Sequence, residues 1–102
     1  MTSEKERIPI EKARNLGPIS AAEMQAMGIL YLDQIEEMGW EEFCIQYVEL
    51  YPNRLNLNAF TAIIGAIENQ DWREVDPALK NQAKVLVKQL KYENSKINSA
   101  FL

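Results

Sequence analysis

Asn15-Leu-Gly-Pro-Ile-Ser-Ala-Ala-Glu-Met-Gln-Ala-Met-Gly28 is the stretch from which the rest of the chain can be placed. Leu16, Gly17, Pro18, Ile19 and Ser20 read as a five-residue hairpin, and Ser20 with Glu23 three positions later reads as a capping box. The box predicts a helix over 21–27, closed by Gly28 as a left-handed C′ residue. A glycine turn feeding a helix start is the arrangement with which helix-hairpin-helix modules hold a nucleic-acid backbone. Amide groups at such a start point outward with partial positive charge, which makes Leu16, Gly17, Pro18, Ile19, Ser20 and Ala21 a candidate phosphate contact.

Working outward, residues 1–8 are polar and aperiodic and read as a disordered tail, and Pro9 fits the first position of a short helix ending near Asn15. Beyond the hairpin, Leu32, Ile35 and Met38 share one stripe that Gly39 ends, with Trp40 expected to fold back as a Schellman contact. Tyr31 is a poor N-cap for that segment, since it offers no short oxygen. Trp40, Phe43, Cys44, Tyr47, Val48 and Tyr51 then recur at i, i+3, i+4, i+7, i+8 and i+11, an amphipathic helix that Pro52 stops.

Residues 57–68 are apolar around nearly the whole circumference, as in a central core helix with Asn69 as its terminator and Gly65 marking close packing. Asp76-Pro77 starts a last helix whose buried stripe is Leu79, Ala83, Leu86, Val87 and Leu90, reaching about Tyr92. No alternating strand pattern, Gly/Ser linker or repeat stands out. The expected fold is all-α, a compact bundle of five or six short helices containing a helix-hairpin-helix-like motif. It occupies residues 9–93, with 94–102 fraying.

The 102 residues, 47% of them hydrophobic, suffice for one core without staples. No apolar run approaches membrane-spanning length, so a cytoplasmic protein without a membrane partner is expected. The single cysteine, Cys44, lies on the apolar helix face and reads as a buried small residue. Histidine is absent, which removes the commonest general base and the nitrogen ligands of most catalytic zinc sites. Adjacent carboxylates such as Glu36-Glu37 and Glu41-Glu42 point about 100° apart on a helix and suit a solvated face. The residues point to no enzyme, no metal and no organic cofactor.

Charge is divided unevenly along the chain. Between Arg14 and Arg54 there is no Lys or Arg, while Glu23, Asp33, Glu36, Glu37, Glu41, Glu42 and Glu49 supply seven negatives. Nucleic-acid affinity comes from cations set against phosphates, and the hairpin sits in this acidic block. If Glu23 completes the capping box, its carboxylate also repels an anion arriving at the helix start. Two readings of the hairpin are therefore open, a phosphate grip and a compact turn that orients two helices, and the charges favour the second. On the last helix Lys80, Lys84, Lys88 and Lys91 form a basic strip, either a solvated face or a contact for nucleic acid or an acidic protein surface. The acidic block of a second copy is one such surface, which makes a homodimer reasonable. Val85 and Tyr92 lie seven apart on the face away from the core, and Ile97, Phe101 and Leu102 give the tail an apolar end. Trp40 and Trp72 read as helix-junction anchors.

Asn15-Leu-Gly-Pro18 with Ser20-Ala21, then Gly28-Ile29, Gly39, Leu57-Asn-Ala-Phe60, Gly65-Ala66 and Asp71-Trp72 closely resemble, in order and spacing, the C-terminal domain of the TfoX (Sxy) competence-regulator family. The likeness covers about residues 13–92. It implies a helix-hairpin-helix-like domain of a bacterial regulator of competence genes, without catalysis. In full-length relatives the domain follows a larger N-terminal domain, so this chain resembles a free-standing copy. Ile19 stands where the family often has Lys, Ile64 where an acidic residue is usual, and Asn69 where glycine is common. The loss of the lysine removes a phosphate-facing charge. The expectation is a regulatory interaction module acting through protein contacts, its partner being transcription machinery or another regulator. The alternative is weak, sequence-independent DNA binding through the amides of Gly17 to Ala21, helped by Lys12, Arg14 and the last helix's lysines.

Overall fold

A computed structural model describes residues 7–100, with side chains described to Asn94. Among the described residues the chain forms five α-helices: α1 Pro18–Ala26, α2 Leu32–Met38, α3 Trp40–Leu50, α4 Leu57–Glu68 and α5 Pro77–Ala100. Single 3₁₀ turns at Ile10–Lys12, Pro52–Arg54 and Trp72–Glu74 join them, so the all-α expectation holds.

The core gathers around α4. Phe60, Ile63, Ile64, Gly65 and Ala66 are buried on three sides of that helix, where α2, α3, α5 and the turn at Trp72–Glu74 pack. Thr61, the buried polar side chain here, donates its hydroxyl to Leu57 O at 2.9 Å and so leaves no unmet group. Phe43, Cys44, Tyr47 and Val48 of α3 and Ala83 and Val87 of α5 complete the interior. Burial of each large apolar side chain contributes about 1.5–3 kcal/mol, so α3 and α4, which bury the largest of them, carry much of the stability.

Gly65 is where the sequence sets the approach distance. A Cβ there would lie 2.6 Å from Asn15 Nδ2 and 2.8 Å from Gln70 O. Asn15 itself, at φ 72°, donates Nδ2 to Gln70 O at 2.7 Å and accepts the Trp72 N–H at 3.2 Å. The segment before α1 is thereby stitched to the end of α4, which Asn69 terminates in the left-handed conformation (φ 57°, ψ 47°) as expected.

Several local expectations need correction. Helix α1 begins at Pro18 with Gly17 as N-cap, and Ala21 N–H bonds Gly17 O at 2.9 Å. Ser20 is therefore inside the first turn, and neither the capping box with Glu23 nor a five-residue hairpin over 16–20 forms. Proline decides this: its fixed φ suits N1 and its missing N–H costs nothing there, an advantage that outweighs a serine two residues later. The segment before the hairpin is the 3₁₀ turn Ile10–Lys12, so a full helix stands on the C-terminal side of Gly17 alone.

The end of α1 matches its reading. Gly28 at φ 89° is the C′ residue, Gly28 N–H bonds Gln25 O at 2.9 Å, and Ile29 N–H bonds Met24 O at 3.0 Å. These are the two bonds of a Schellman motif, with Met24 and Ile29 both buried as its apolar contact. Helix α2 is better started than Tyr31 alone suggested, because Gln34 Oε1 accepts from the N–H groups of Leu30 (2.7 Å) and Tyr31 (2.9 Å). The same amide donates to Gly28 O at 3.1 Å and so spans the whole link. Gly39 (φ 93°) turns the chain and Trp40 opens α3 at once, half-buried against the core.

Arg7 and Ile8, expected in the loose tail, are held. Ile8 O accepts from Leu32 N–H and Ile10 N–H donates to Leu30 O, both at 2.9 Å, around an antiparallel bridge of Pro9 with Tyr31. Arg7 makes two bonds to Asp33, at 2.8 and 2.9 Å, and lies 4.0 Å over the Tyr31 ring. The rest of that tail, residues 1–6, lies outside the described residues. Helix α5 starts as read, with Asp76 Oδ1 accepting from Ala78 N–H at 2.8 Å, but continues to Ala100 rather than ending near Tyr92. No Gly or Pro interrupts 93–100, so nothing in that segment breaks the helix. Phe101 and Leu102 lie outside the described residues, as does the side chain of Ile97.

Candidate interaction site at the start of α1

The first turn of α1 forms one wall of a cleft of about 270 Å³ lined by Leu16 and Ser20, by Tyr47 of α3, by Arg54 of the Pro52–Arg54 turn, and by Asn56 and Ala59 at the start of α4. Of the six hairpin residues, Leu16 and Ser20 are half-buried, Ala21 is buried, and Gly17, Pro18 and Ile19 are exposed. The amides offered outward are fewer than the sequence suggested. Pro18 has none, that of Leu16 bonds Ala13 O and that of Ala21 bonds Gly17 O, which leaves Gly17, Ile19 and Ser20.

Glu23, one turn further along α1, bonds two of the residues that line this cleft. Arg54 Nε donates to its Oε1 at 2.9 Å and Arg54 Nη2 to its Oε2 at 3.1 Å, while the Tyr47 hydroxyl donates to Oε1 at 2.6 Å. The paired fork satisfies both oxygens, and the two side chains are only 17% and 27% exposed. Arg54 holds the Glu23 carboxyl below its ordinary value, against the opposing pull of burial and with help from Tyr47. Burial first, and then the Glu23 acceptor, push the Tyr47 phenol up to about 12. Tyr47 is fixed from behind by Phe43, whose ring stacks on it at 5.4 Å.

Glu23 therefore does not occupy the helix start, and the local repulsion expected from it does not arise. Its effect is indirect: it engages Arg54, the cation that lines the cleft together with Leu16 and Ser20. On the rim Ile19 is 69% exposed and presents an apolar side chain beside Pro18. Arg14 donates to Asn69 O at 3.2 Å, across the end of α4, and Lys12 is exposed on the preceding turn.

The basic strip is split. Lys80 Nζ donates to Arg73 O at 3.0 Å and ties α5 to the turn before it, whereas Lys84, Lys88 and Lys91 are exposed. The start of α1 and the lysine strip of α5 stand on different elements.

The model of the TfoX C-terminal domain matches residues 6–87, most of the chain. This chain belongs to that family. No curated protein and no solved structure matches it. The TfoX-type match begins just before Arg7, consistent with the pairing of Ile8 and Ile10 on the loop at 30–32, and leaves the second half of α5 outside. Among the described residues no helix is long and apolar enough to cross a membrane.

Sequence reading of this TfoX C-terminal domain missed Arg54 and Tyr47 as partners of Glu23. Glu23 is the one acid of α1 and Arg54 the first cation after Arg14, but that order alone does not pair them. Assigning Glu23 to a capping box hid the pair.

Proposed function

We propose that this domain is a non-enzymatic regulatory module that acts through protein contacts made around the start of α1. The observation that carries this reading is the engagement of Arg54 by Glu23. A helix start that binds phosphate needs an available cation beside its amides, and here that cation is neutralised internally while Ile19 presents apolar surface. An exposed isoleucine next to a rigid proline suits an apolar pocket on a protein partner better than a sugar-phosphate chain. Family membership supports a regulatory role, with transcription machinery or another regulator of competence genes as the class of partner. Absence of histidine supports a role without catalysis.

A second reading, weak and sequence-independent DNA binding, draws support from the amides of Gly17, Ile19 and Ser20 at the start of α1 and from the exposed Lys12 and Arg14 that precede it in the chain. Fluorescence anisotropy with a labelled duplex separates the two. Under the first reading wild type stays unbound between about 50 and 200 mM salt, and only the variant Ile19→Lys gains affinity. Tight wild-type binding at low salt that falls steeply with added salt would favour the second. Loss of that binding in Lys84→Glu/Lys88→Glu would assign it to α5.

A further inference from the structure

Helix α5 carries an exposed crest between flanks of opposite charge. Val85 and Tyr92, two turns apart, are 56% and 67% exposed. On one side Lys84, Lys88 and Lys91 continue the row that Lys80 starts against the Trp72–Glu74 turn. On the other side two open grooves run between α3 and α5: one is lined by Glu41 with Gln82, Val85 and Gln89, the next by Ile45, Glu49, Leu90 and Glu93. Three lysines therefore border the crest on one side, and Glu41, Glu49 and Glu93 border it on the other.

From this arrangement we propose that the crest of α5 is a self-association surface whose occupant is the same crest of a second copy, with the two α5 helices parallel. The charges choose both partner and orientation. A two-fold axis running along α5 exchanges left and right, so the lysine flank of each copy meets the acidic flank of the other, while Val85 meets Val85 and Tyr92 meets Tyr92. An axis across the helices packs them antiparallel and sets lysines against lysines, which is repulsive. Nucleic acid fits less well, because the lysine row runs beside an acidic row made by Glu41 and Glu49 of α3 and Glu93 of α5, and a duplex broad enough to touch the first is repelled by the second. Association rests on a small apolar crest and rim charge pairs, so it is reversible and weakened by salt.

Sedimentation equilibrium of the full chain tests this. The apparent mass should rise with concentration from that of one 11.7 kDa chain towards twice that value. Lys84→Glu/Lys88→Glu and Glu41→Lys/Glu49→Lys should each weaken association about tenfold or more, because attractive rim pairs become repulsive. Mixing the two variants should restore a dimer, since a mainly acidic crest border then meets a mainly basic one. Tyr92→Cys should form a disulfide with its own copy on oxidation, as parallel packing requires, while Cys44 stays buried. A chain that remains monomeric at millimolar concentration overturns the proposal. So do reversal variants that dimerise as wild type does, or a dimer in which Tyr92→Cys fails to cross-link. Far-UV circular dichroism of each variant verifies that α5 is intact.

Discussion

Arg54 closes on Glu23 across the cleft between α3 and the start of α1, with its Nε and Nη2 at 2.9 and 3.1 Å from the two carboxylate oxygens. Thirty-one residues apart in sequence, the two hold together the turn that begins α4 and the helix that presents Ile19. One ion pair therefore fixes the position of α1 and removes a cation from its surroundings.

Arg54→Ala should cost about 2 kcal/mol in urea unfolding, because Glu23 keeps its charge in a largely buried place with only the Tyr47 hydroxyl as partner. Glu23→Ala/Arg54→Ala should cost less than the sum of the two single changes, since no charge is then left unpaired. Additive costs would mean that the pair contributes no coupling.

Acid should weaken the fold through the same carboxyl. Arg54 lowers its value in the folded chain, so the unfolded chain binds a proton first as pH falls. The contribution is complete above the ordinary glutamate value of about 4.3 and is lost as pH drops from there towards the lowered one. Stability measured against pH should lose part of this acid slope in Glu23→Gln.

At the alkaline end Tyr47 acts with the opposite sign. Its folded value of about 12 exceeds the ordinary phenol value of about 10, so its contribution is complete below the latter and declines as pH rises towards the former. Tyr47→Phe should flatten that alkaline decline.

Gly65→Ala should destabilise by about 1–3 kcal/mol, the usual cost of overpacking, because its Cβ meets the Gln70 carbonyl and the Asn15 amide, both held in place. Gly17, with nothing within 4 Å of an added Cβ, supplies the control, and Gly17→Ala should cost less than about 1 kcal/mol. Equal losses at the two positions would remove close packing as the reason for Gly65.

Cys44 is fully buried, and burial pushes its thiol up. A disulfide-exchange reagent should label it only as the chain opens, at a rate that climbs with denaturant. Rapid labelling of the native protein would contradict the packing of α3.

Helices with strong apolar periods were legible in the sequence, as were ends set by a single residue type. Leu57–Glu68 and the Asn69 terminator follow from residues whose local preference and tertiary burial agree. Failures cluster where two local signals compete, as at Pro18 against Ser20 for the start of α1. Gln34 caps α2 from within the helix, a local device that attention to Tyr31 hid, and long-range satisfaction was invisible: Arg7 is held by Asp33, 26 residues away. The Glu23–Arg54 pair belongs to this last class, because charge order along a chain does not say which cation a fold brings to which acid.

The most direct test is a titration of ¹⁵N-labelled protein with duplex DNA near 150 mM salt, followed at the amides of Gly17, Ile19 and Ser20. With Arg54 engaged by Glu23, these signals should stay where they are, and they should begin to shift on adding duplex to Ile19→Lys. Saturable shifts at the three amides in the wild-type chain would mean that the start of α1 holds phosphate, and that protein contact is not its purpose.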